Sequence, residues 1–301
     1  VEGDKVTAKS PPYRTDVGEG VIGQADALED VARLYGYEKI NSTRMADELP
    51  PQRGNWAEER DRTIQDVLIN MGLQEVVSYR LTSPQAEVRI FPKGAPSTGL
   101  DYVELQNPIA EERRIMRRSL LASILEALER NIRHRERIVL FEIGPVFIPL
   151  EEKLLPDEPQ RLAIAMSGQR HPPAWDRQNN GMMDYFDLKG VIEGLLKALH
   201  IQGARFEASE CPTFHPGKCA RLMAGEVEIG YLGELHPLVK DNYSFLAPPV
   251  LAAELDADAL YRLAVKRFEA EAVSVYPPVV EDLAVIVNDE MPAAKVRETI
   301  L

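Results

Sequence analysis

The fold of this chain is decided by residues 107–149, which read NPIAEERRIMRRSLLASILEALERNIRHRERIVLFEIGPVFIP. From Arg117 onward the apolar residues recur at the spacing of one helical face, which predicts an amphipathic helix. After a polar break at 133–137, the residues at 138–143 are mostly branched or aromatic and predict a strand buried on both faces. A long helix that leads into a buried strand indicates a domain core. The apolar positions of the helix are Leu121, Ile124, Leu125, Leu128 and Ile132.

The composition is that of a globular chain with room for about two domains. It has 301 residues, of which 45% are hydrophobic, and a formal net charge of −13. No apolar run approaches the roughly 20 residues that span a bilayer, and the N-terminus lacks the features of a signal peptide. With only two cysteines, this predicts a cytoplasmic protein without a membrane partner. The acidic balance argues against a surface that binds polyanions everywhere, but it leaves a local basic patch open.

Apolar spacing elsewhere predicts a mixture of helices and strands. Helical spacing begins at Gln24, Ile64, Tyr185 and Asp258, and Pro292 opens a further helix. The chain begins without Met and stops inside this last segment, so we expect both ends to be boundaries within a longer protein. Strands are predicted at 5–9, 75–81, 157–168, 218–225, 227–236, 250–255 and 283–287.

Three carboxylates share one predicted helical turn near the N-terminus. Asp26, Glu29 and Asp30 stand at i, i+3 and i+4, and Asp16 lies in the preceding loop. Hard oxygen ligands of this kind favour Mg²⁺ or Ca²⁺ over zinc. Acids in the first turn of a helix are also common without any ligand, because they complement the positive end of the helix dipole. Spacing alone therefore leaves a cation site and an ordinary solvated helix start open.

A second set of residues has zinc-binding chemistry but not zinc-binding spacing. Cys211, His215, Cys219 and His236 are residue types that form tetrahedral zinc sites. The set contains no close cysteine pair and is spread over predicted strands. Its spacing therefore does not favour a zinc site.

Several stretches together resemble the β chain of bacterial phenylalanyl-tRNA synthetase. The most specific are Asn-Pro at 107–108, MRRSLL at 116–121 and LFEIGPVF at 140–147. The resemblance covers nearly the whole chain. Further similar stretches are YRTD (13–16), ALEDVARLYGYEKI (27–40), GLQEVVSYRL (72–81), DYFDLKGVIEGLLKAL (184–199), FHPGKCA (214–220), GYLGELHP (230–237) and YPPVVEDLAVIVNDEMPAAKV (276–296).

This resemblance implies an α+β fold with three parts. Residues 1–45 would be the C-terminal part of a small helical, DNA-binding-like domain. Residues 46–274 would form a non-catalytic core like that of class II aminoacyl-tRNA synthetases, an antiparallel sheet with flanking helices. Residues 275–301 would be the truncated start of a ferredoxin-fold anticodon-binding domain.

The resemblance also implies a function, which is that of the non-catalytic β subunit of phenylalanine–tRNA ligase. Such a subunit supports ATP-dependent attachment of phenylalanine to its tRNA by assembling with the catalytic α subunit, as two α and two β chains. tRNA(Phe) is a partner of the intact enzyme, and ATP is bound in the α subunit. In the family, Mg²⁺ is coordinated by acids that match Asp16, Asp26, Glu29 and Asp30.

The resemblance also implies that the core has the catalytic fold without the residues that activate an amino acid with ATP. This chemistry requires an arginine positioned on the α-phosphate. The last strand region of the core, GYLGELHPLVKD at 230–241, has no such arginine, and there is no Gly-x-x-x-x-Gly-Lys loop. We therefore expect no catalytic residues.

A free-standing scaffold or regulatory protein on the same fold is the alternative function. A carboxylate-based metal hydrolase is a third possibility, although no histidine lies near Asp26 to act as a base.

Overall fold

The computed structural model describes residues 3, 6–51, 53–93, 101–151, 153–172, 174–175, 181–245, 249–265 and 274–300. The chain divides into two compact units, Val1–Gly54 and Asn55–Leu301.

The first unit contains one long helix. Helix α1 is Gly20–Tyr35, and a 3₁₀ turn follows at Tyr37–Lys39. Gly36 ends α1 with a φ of 100°, a left-handed conformation that favours glycine, as its position predicted. Residues 6–9 form no strand, so the strand predicted at 5–9 is wrong for the residues that the structure describes.

The second unit is built on a seven-stranded sheet. The strands are β1 Gln74–Glu75, β2 Leu81–Thr82, β3 Ile115–Met116, β4 Arg137–Pro145, β5 Gln160–Gly168, β6 Ala204–Ala208, β7 Phe214–Ala224, β8 Val227–Leu235 and β9 Val250–Asp256. The sheet order is β1-β4-β5-β9-β8-β7-β6. β1 runs parallel to β4, and the other neighbouring pairs are antiparallel. β2 and β3 form a separate antiparallel ladder. This confirms a mixed α and β fold with a mainly antiparallel sheet.

Helices cover both faces of this sheet. They are α2 Trp56–Asn70, α3 Pro84–Glu87, α4 Leu120–Asn131, α5 Tyr185–Ala198, α6 Pro237–Lys240 and α7 Ala257–Leu263, whereas the further helix α8 Ala293–Ile300 has no buried residue. On one face α2, α5 and α7 pack their apolar residues against Phe141 and Ile164, whereas α4 packs against Leu140 and Ala163 on the other. Successive side chains of a strand point to opposite faces, so β4 is buried on both, as predicted.

The stretch at 107–149 forms the predicted helix and strand. α4 begins at Leu120 rather than at Arg117, because the Ser119 hydroxyl accepts the N–H of Leu121 at 3.0 Å and caps the helix. Its buried residues include the four predicted leucines and isoleucines from Leu121 to Leu128. Burying a side chain of this size is worth about 2 kcal/mol, so α4 and β4 anchor one side of the sheet.

Some strand predictions differ from the structure. Only the two ends of the stretch 75–81 are strands, because the chain leaves the β4 ladder after Val76 and Ser78 bonds the Glu142 side chain instead of a backbone carbonyl. Residues 283–287 are exposed and form no strand, and the described segment 274–300 offers them no partner strand. The edge strand β6 was not predicted.

The described ranges contain no helix that combines the length and the apolar character needed to span a membrane.

Candidate functional site

Three of the four acids predicted to bind a cation lie in the middle of α1, and Asp16 lies in the loop before it. The helix begins at Gly20 rather than at Gln24, so its first turn contains no acidic residue. The prediction that Asp26, Glu29 and Asp30 open the helix is wrong, and the helix dipole does not explain them. No proline separates Gly20 from Gln24, so the helix extends further back than the apolar spacing indicated.

An arginine joins two of the four predicted ligands. Arg14 Nη2 donates to Asp16 Oδ2 at 2.7 Å and to Asp30 Oδ2 at 2.9 Å. Arg33 donates to the other oxygen of Asp30 at 2.8 Å. The hydrogen bonds from Arg14 lower the pKa of the Asp16 carboxyl. Asp16 and Asp30 are therefore brought together around a guanidinium group.

The other two predicted ligands lie outside this ion-pair cluster. Asp26 Oδ2 accepts the N–H of Gly18 at 2.8 Å, and Glu29 is exposed. Over the described part of the chain, no group of three or more His, Cys, Asp or Glu residues is placed to hold a metal ion. Four carboxylates have the right chemistry for Mg²⁺. However, Arg14 lies where a cation shared by Asp16 and Asp30 would need to be, so this arrangement does not fit the ion.

The second unit contains a buried ion pair that joins two of the family-like motifs. The side chains of Arg117 and Glu142 are each 2% exposed, and Nη1 and Oε1 lie 2.6 Å apart. Ser78 Oγ donates to the Glu142 carboxylate at 2.7 Å and accepts from Arg117 Nη1 at 2.9 Å. Arg117 Nε donates to the carbonyl of Pro145 at 3.0 Å. The pair was not predicted, although a lone charge within an otherwise apolar run was the available signal.

Two carboxylates converge on the N-terminus of α4. Glu254 of β9 accepts from the Ser119 hydroxyl at 3.0 Å and from the Leu120 N–H at 2.6 Å. Glu87 of α3 accepts the N–H of Arg118 at 3.2 Å, and its Oε1 is buried with no partner among the described residues. Burial raises the pKa of Glu87 to about 7, and the nearby Glu254 also raises it. Burial likewise raises the pKa of Glu254.

The segment that follows β1 forms an exposed, partly apolar edge. The Val76 N–H donates to a β4 carbonyl at 2.9 Å, and Ser78 turns inward to the buried ion pair. Val77, which lies between these two residues, and Tyr79, which follows Ser78, point outward. Their side chains are 88% and 72% exposed. The Arg113 guanidinium lies over the Tyr79 ring at 3.8 Å. Residues 76–79, here called the β1 edge, therefore present two exposed apolar side chains to solvent.

Comparison with known proteins identifies the family. The family model described as the phenylalanyl tRNA synthetase beta chain CLM domain matches residues 40–257. The chain belongs to the phenylalanine–tRNA ligase β-subunit family. Among similar proteins, the Phenylalanine–tRNA ligase beta subunit of Geobacter sulfurreducens is 33% identical over 298 residues, covering 98% of this chain and 36% of that protein. The beta subunit of Moorella thermoacetica is 38% identical over 300 residues, covering 96% and 35%. The chain thus spans about a third of the length of these relatives.

In this β-subunit chain, the histidines considered for zinc hold local turns. His215 Nδ1 accepts the N–H of Gly217 at 3.1 Å. His236 Nδ1 accepts the N–H of Leu238 at 3.1 Å and caps α6. Burial raises the pKa of the Cys219 thiol to about 11, which disfavours the thiolate that zinc binds. These contacts suit residues that shape the β-subunit core.

Proposed function

We propose that this chain is the non-catalytic core of a phenylalanine–tRNA ligase β subunit. It would assemble with the catalytic α subunit, as two α and two β chains in the cytoplasm, and so support ATP-dependent attachment of phenylalanine to tRNA(Phe). ATP would be bound in the α subunit. The family match over residues 40–257 carries this proposal. No observation on the described residues favours the free-standing scaffold considered as an alternative.

The state of Arg117 supports a non-catalytic role. An arginine that stabilises a phosphate during amino-acid activation must be able to reach the substrate. Arg117 is instead buried, and its guanidinium is used by Glu142, Ser78 and the Pro145 carbonyl. Breaking such a pair leaves an uncompensated buried charge, which typically costs 3–5 kcal/mol. We infer that Arg117 stabilises the core and does not take part in chemistry.

The domain plan is also part of the proposal. A mainly antiparallel sheet with one short parallel strand and helices on both faces is consistent with a class II synthetase-like core at 46–274. The helical segment at 1–45 would end the preceding small domain. Residues 275–301 would begin the anticodon-binding domain.

We propose that the β1 edge contributes to the contact with the α subunit. An open sheet edge carries unpaired backbone groups that a partner can use. Val77 and Tyr79 add exposed apolar surface, which is the usual centre of a stable protein interface. The buried ion pair behind Ser78 keeps this edge rigid, which reduces the entropy lost on binding.

The experiment that tests this role is assembly of the chain with the purified α subunit, measured by size-exclusion chromatography with light scattering. We expect a mixed complex, and we expect Val77→Glu with Tyr79→Glu to weaken it at least tenfold, because charge would be placed within the contact. Leu154→Glu with Leu155→Glu is the matched control, since these residues are 99% and 74% exposed in the loop after β4. Equal complex formation by both double variants would show that the contact lies elsewhere.

We propose in addition that Asp16, Asp26, Glu29 and Asp30 bind Mg²⁺ once Arg14 is displaced. The family resemblance and the hard oxygen chemistry support this proposal, and the ion pairs of Arg14 oppose it.

Arg14→Ala removes the competing guanidinium, so we expect it to bind Mg²⁺ at least tenfold more tightly than the unmodified chain. Isothermal titration with MgCl₂ measures the difference. Arg33→Ala is the control, because Arg33 contacts only one oxygen of Asp30. If the unmodified chain and both variants bind equally weakly, these carboxylates do not form a magnesium site.

A further inference from the structure

The turn between α4 and β4 concentrates positive charge. Residues 130–137 read RNIRHRER and are here called the basic turn. Arg130, Arg133 and Arg135 are exposed, and Arg137 is half-buried. Glu136 is the only acid in this segment. This is a local exception in a chain whose net charge is −13.

The carboxylates of the neighbouring helix are already paired with other groups. Glu129 of α4 binds Arg89 at 2.7 Å and accepts the N–H of Ser244 at 2.8 Å. Glu126 contacts the same guanidinium at 3.4 Å. Among the described residues, no ion pair is made by any of the four arginines of the basic turn. Their charge is therefore not neutralised by the part of the chain that the structure describes.

The segment after β5 lies beside the basic turn and does not neutralise it either. The Gln169 N–H donates to the Glu136 carbonyl at 3.1 Å, which places the two segments side by side. Arg170 holds Asp184 and Asp187 at 2.8 and 2.9 Å, so these acids are paired as well. At the edge of the turn, Arg137 Nε is buried without a partner among the described residues.

We propose that the basic turn binds the phosphate groups of an RNA backbone. Guanidinium groups match phosphate oxygens in geometry, and a cluster of them gives sequence-independent affinity for a polyanion. A protein partner fits less well, because protein interfaces centre on apolar side chains. The one large apolar residue of the turn, Ile132, is packed against the core. The inference rests on the proposed function, which supplies tRNA as the available RNA.

Fluorescence anisotropy of a labelled tRNA(Phe) transcript tests the inference at a series of salt concentrations. We expect Arg133→Ala with Arg135→Ala to weaken binding by the 301-residue chain on the order of tenfold and to reduce the slope of log K against log salt by about 2, one for each lost phosphate contact. The matched control is Arg44→Ala with Arg53→Ala, which changes the net charge equally at two exposed arginines outside the second unit. Circular dichroism confirms that both variants fold.

The inference is overturned if the unmodified chain does not bind the transcript at low salt, or if both double variants lose affinity equally. Mixing the same proteins with the α subunit separates this failure from failure of the proposed function. A complex that forms without any RNA binding would leave the β-subunit role intact and remove the role of the basic turn. If the turn variant loses the α subunit but keeps RNA affinity, the basic turn contacts a protein and the inference is wrong.

Discussion

Glu87 couples the stability of the second unit to pH. Its carboxyl lies beside that of Glu254 at the N-terminus of α4, and burial raises its pKa from an ordinary value of 4.5 to about 7. The folded chain therefore holds a proton that the unfolded chain releases between these two values. This contribution is fully present below about pH 4.5, is lost as the pH rises to about 7, and is absent above that.

We expect Glu87→Gln to stabilise the chain at pH 8 and to change little at pH 5. Glutamine keeps an acceptor for the Arg118 N–H but carries no charge, so the gain at pH 8 is on the order of 2–3 kcal/mol. Urea unfolding at the two pH values measures it. The exposed Glu151 gives a control, Glu151→Gln, which should be neutral at both. A Glu87 variant that is no more stable than the unmodified chain at pH 8 would contradict this account of the carboxyl.

At the scale of single residues, the sequence did not predict which side chains contact each other. Asp16 and Asp30 were correctly expected to come close, but the guanidinium of Arg14 between them depends on the path of the loop. Arg117 and Glu142 stood within family-like motifs, yet they are far apart in sequence. Nothing in local spacing indicated that the two charges meet in the core.

Among the elements, the junction of β5 with the α4–β4 turn depends on one glycine. Gly168 has a φ of 102°, and a Cβ at this position would overlap the Glu136 carbonyl. That carbonyl accepts the Gln169 N–H and belongs to the basic turn. A side chain here would strain the backbone and move the turn away from the sheet.

Gly168→Ala should therefore lower the unfolding free energy by about 2 kcal/mol or more. Gly181→Ala, on the segment paired with Arg170, is the control, because among the described residues its Cβ would meet only the end of a flexible arginine side chain at 3.7 Å. Denaturant unfolding of both variants measures the difference. Equal stability of the two would show that the junction tolerates a side chain.

The elements predicted correctly are those in which the spacing of apolar residues follows from their burial. α4, α5, β4, β5 and β9 have long apolar runs or stripes because each packs on at least one core. The strand β6 is short, carries two charged residues and lies at the edge of the sheet. Few of its side chains are buried, so its sequence shows no clear apolar alternation. Residues 283–287 have a strand-like alternation, but alternation produces a strand only when a neighbour supplies hydrogen bonds.

At the scale of the whole molecule, the buried Arg117 and Glu142 pair with each other, whereas the arginines of the basic turn make no ion pair among the described residues. The buried arginine and glutamate hold the core together, whereas the β1 edge and the basic turn present apolar and positive surface to solvent. The family was predictable from the sequence because some of its most specific motifs, at 119–121 and 140–147, lie on a buried helix and strand, while the two surfaces required coordinates.

The proposed function requires above all that this chain, as the core of a β subunit, assembles with a catalytic α subunit. The most direct measurement is the mass, by light scattering after size exclusion, of an equimolar mixture of the chain with the α subunit of the same organism. We expect one species that is heavier than either chain alone and that contains both chains. Separate elution of a 33.7 kDa chain and free α subunit, at concentrations where the chain is folded, would contradict it.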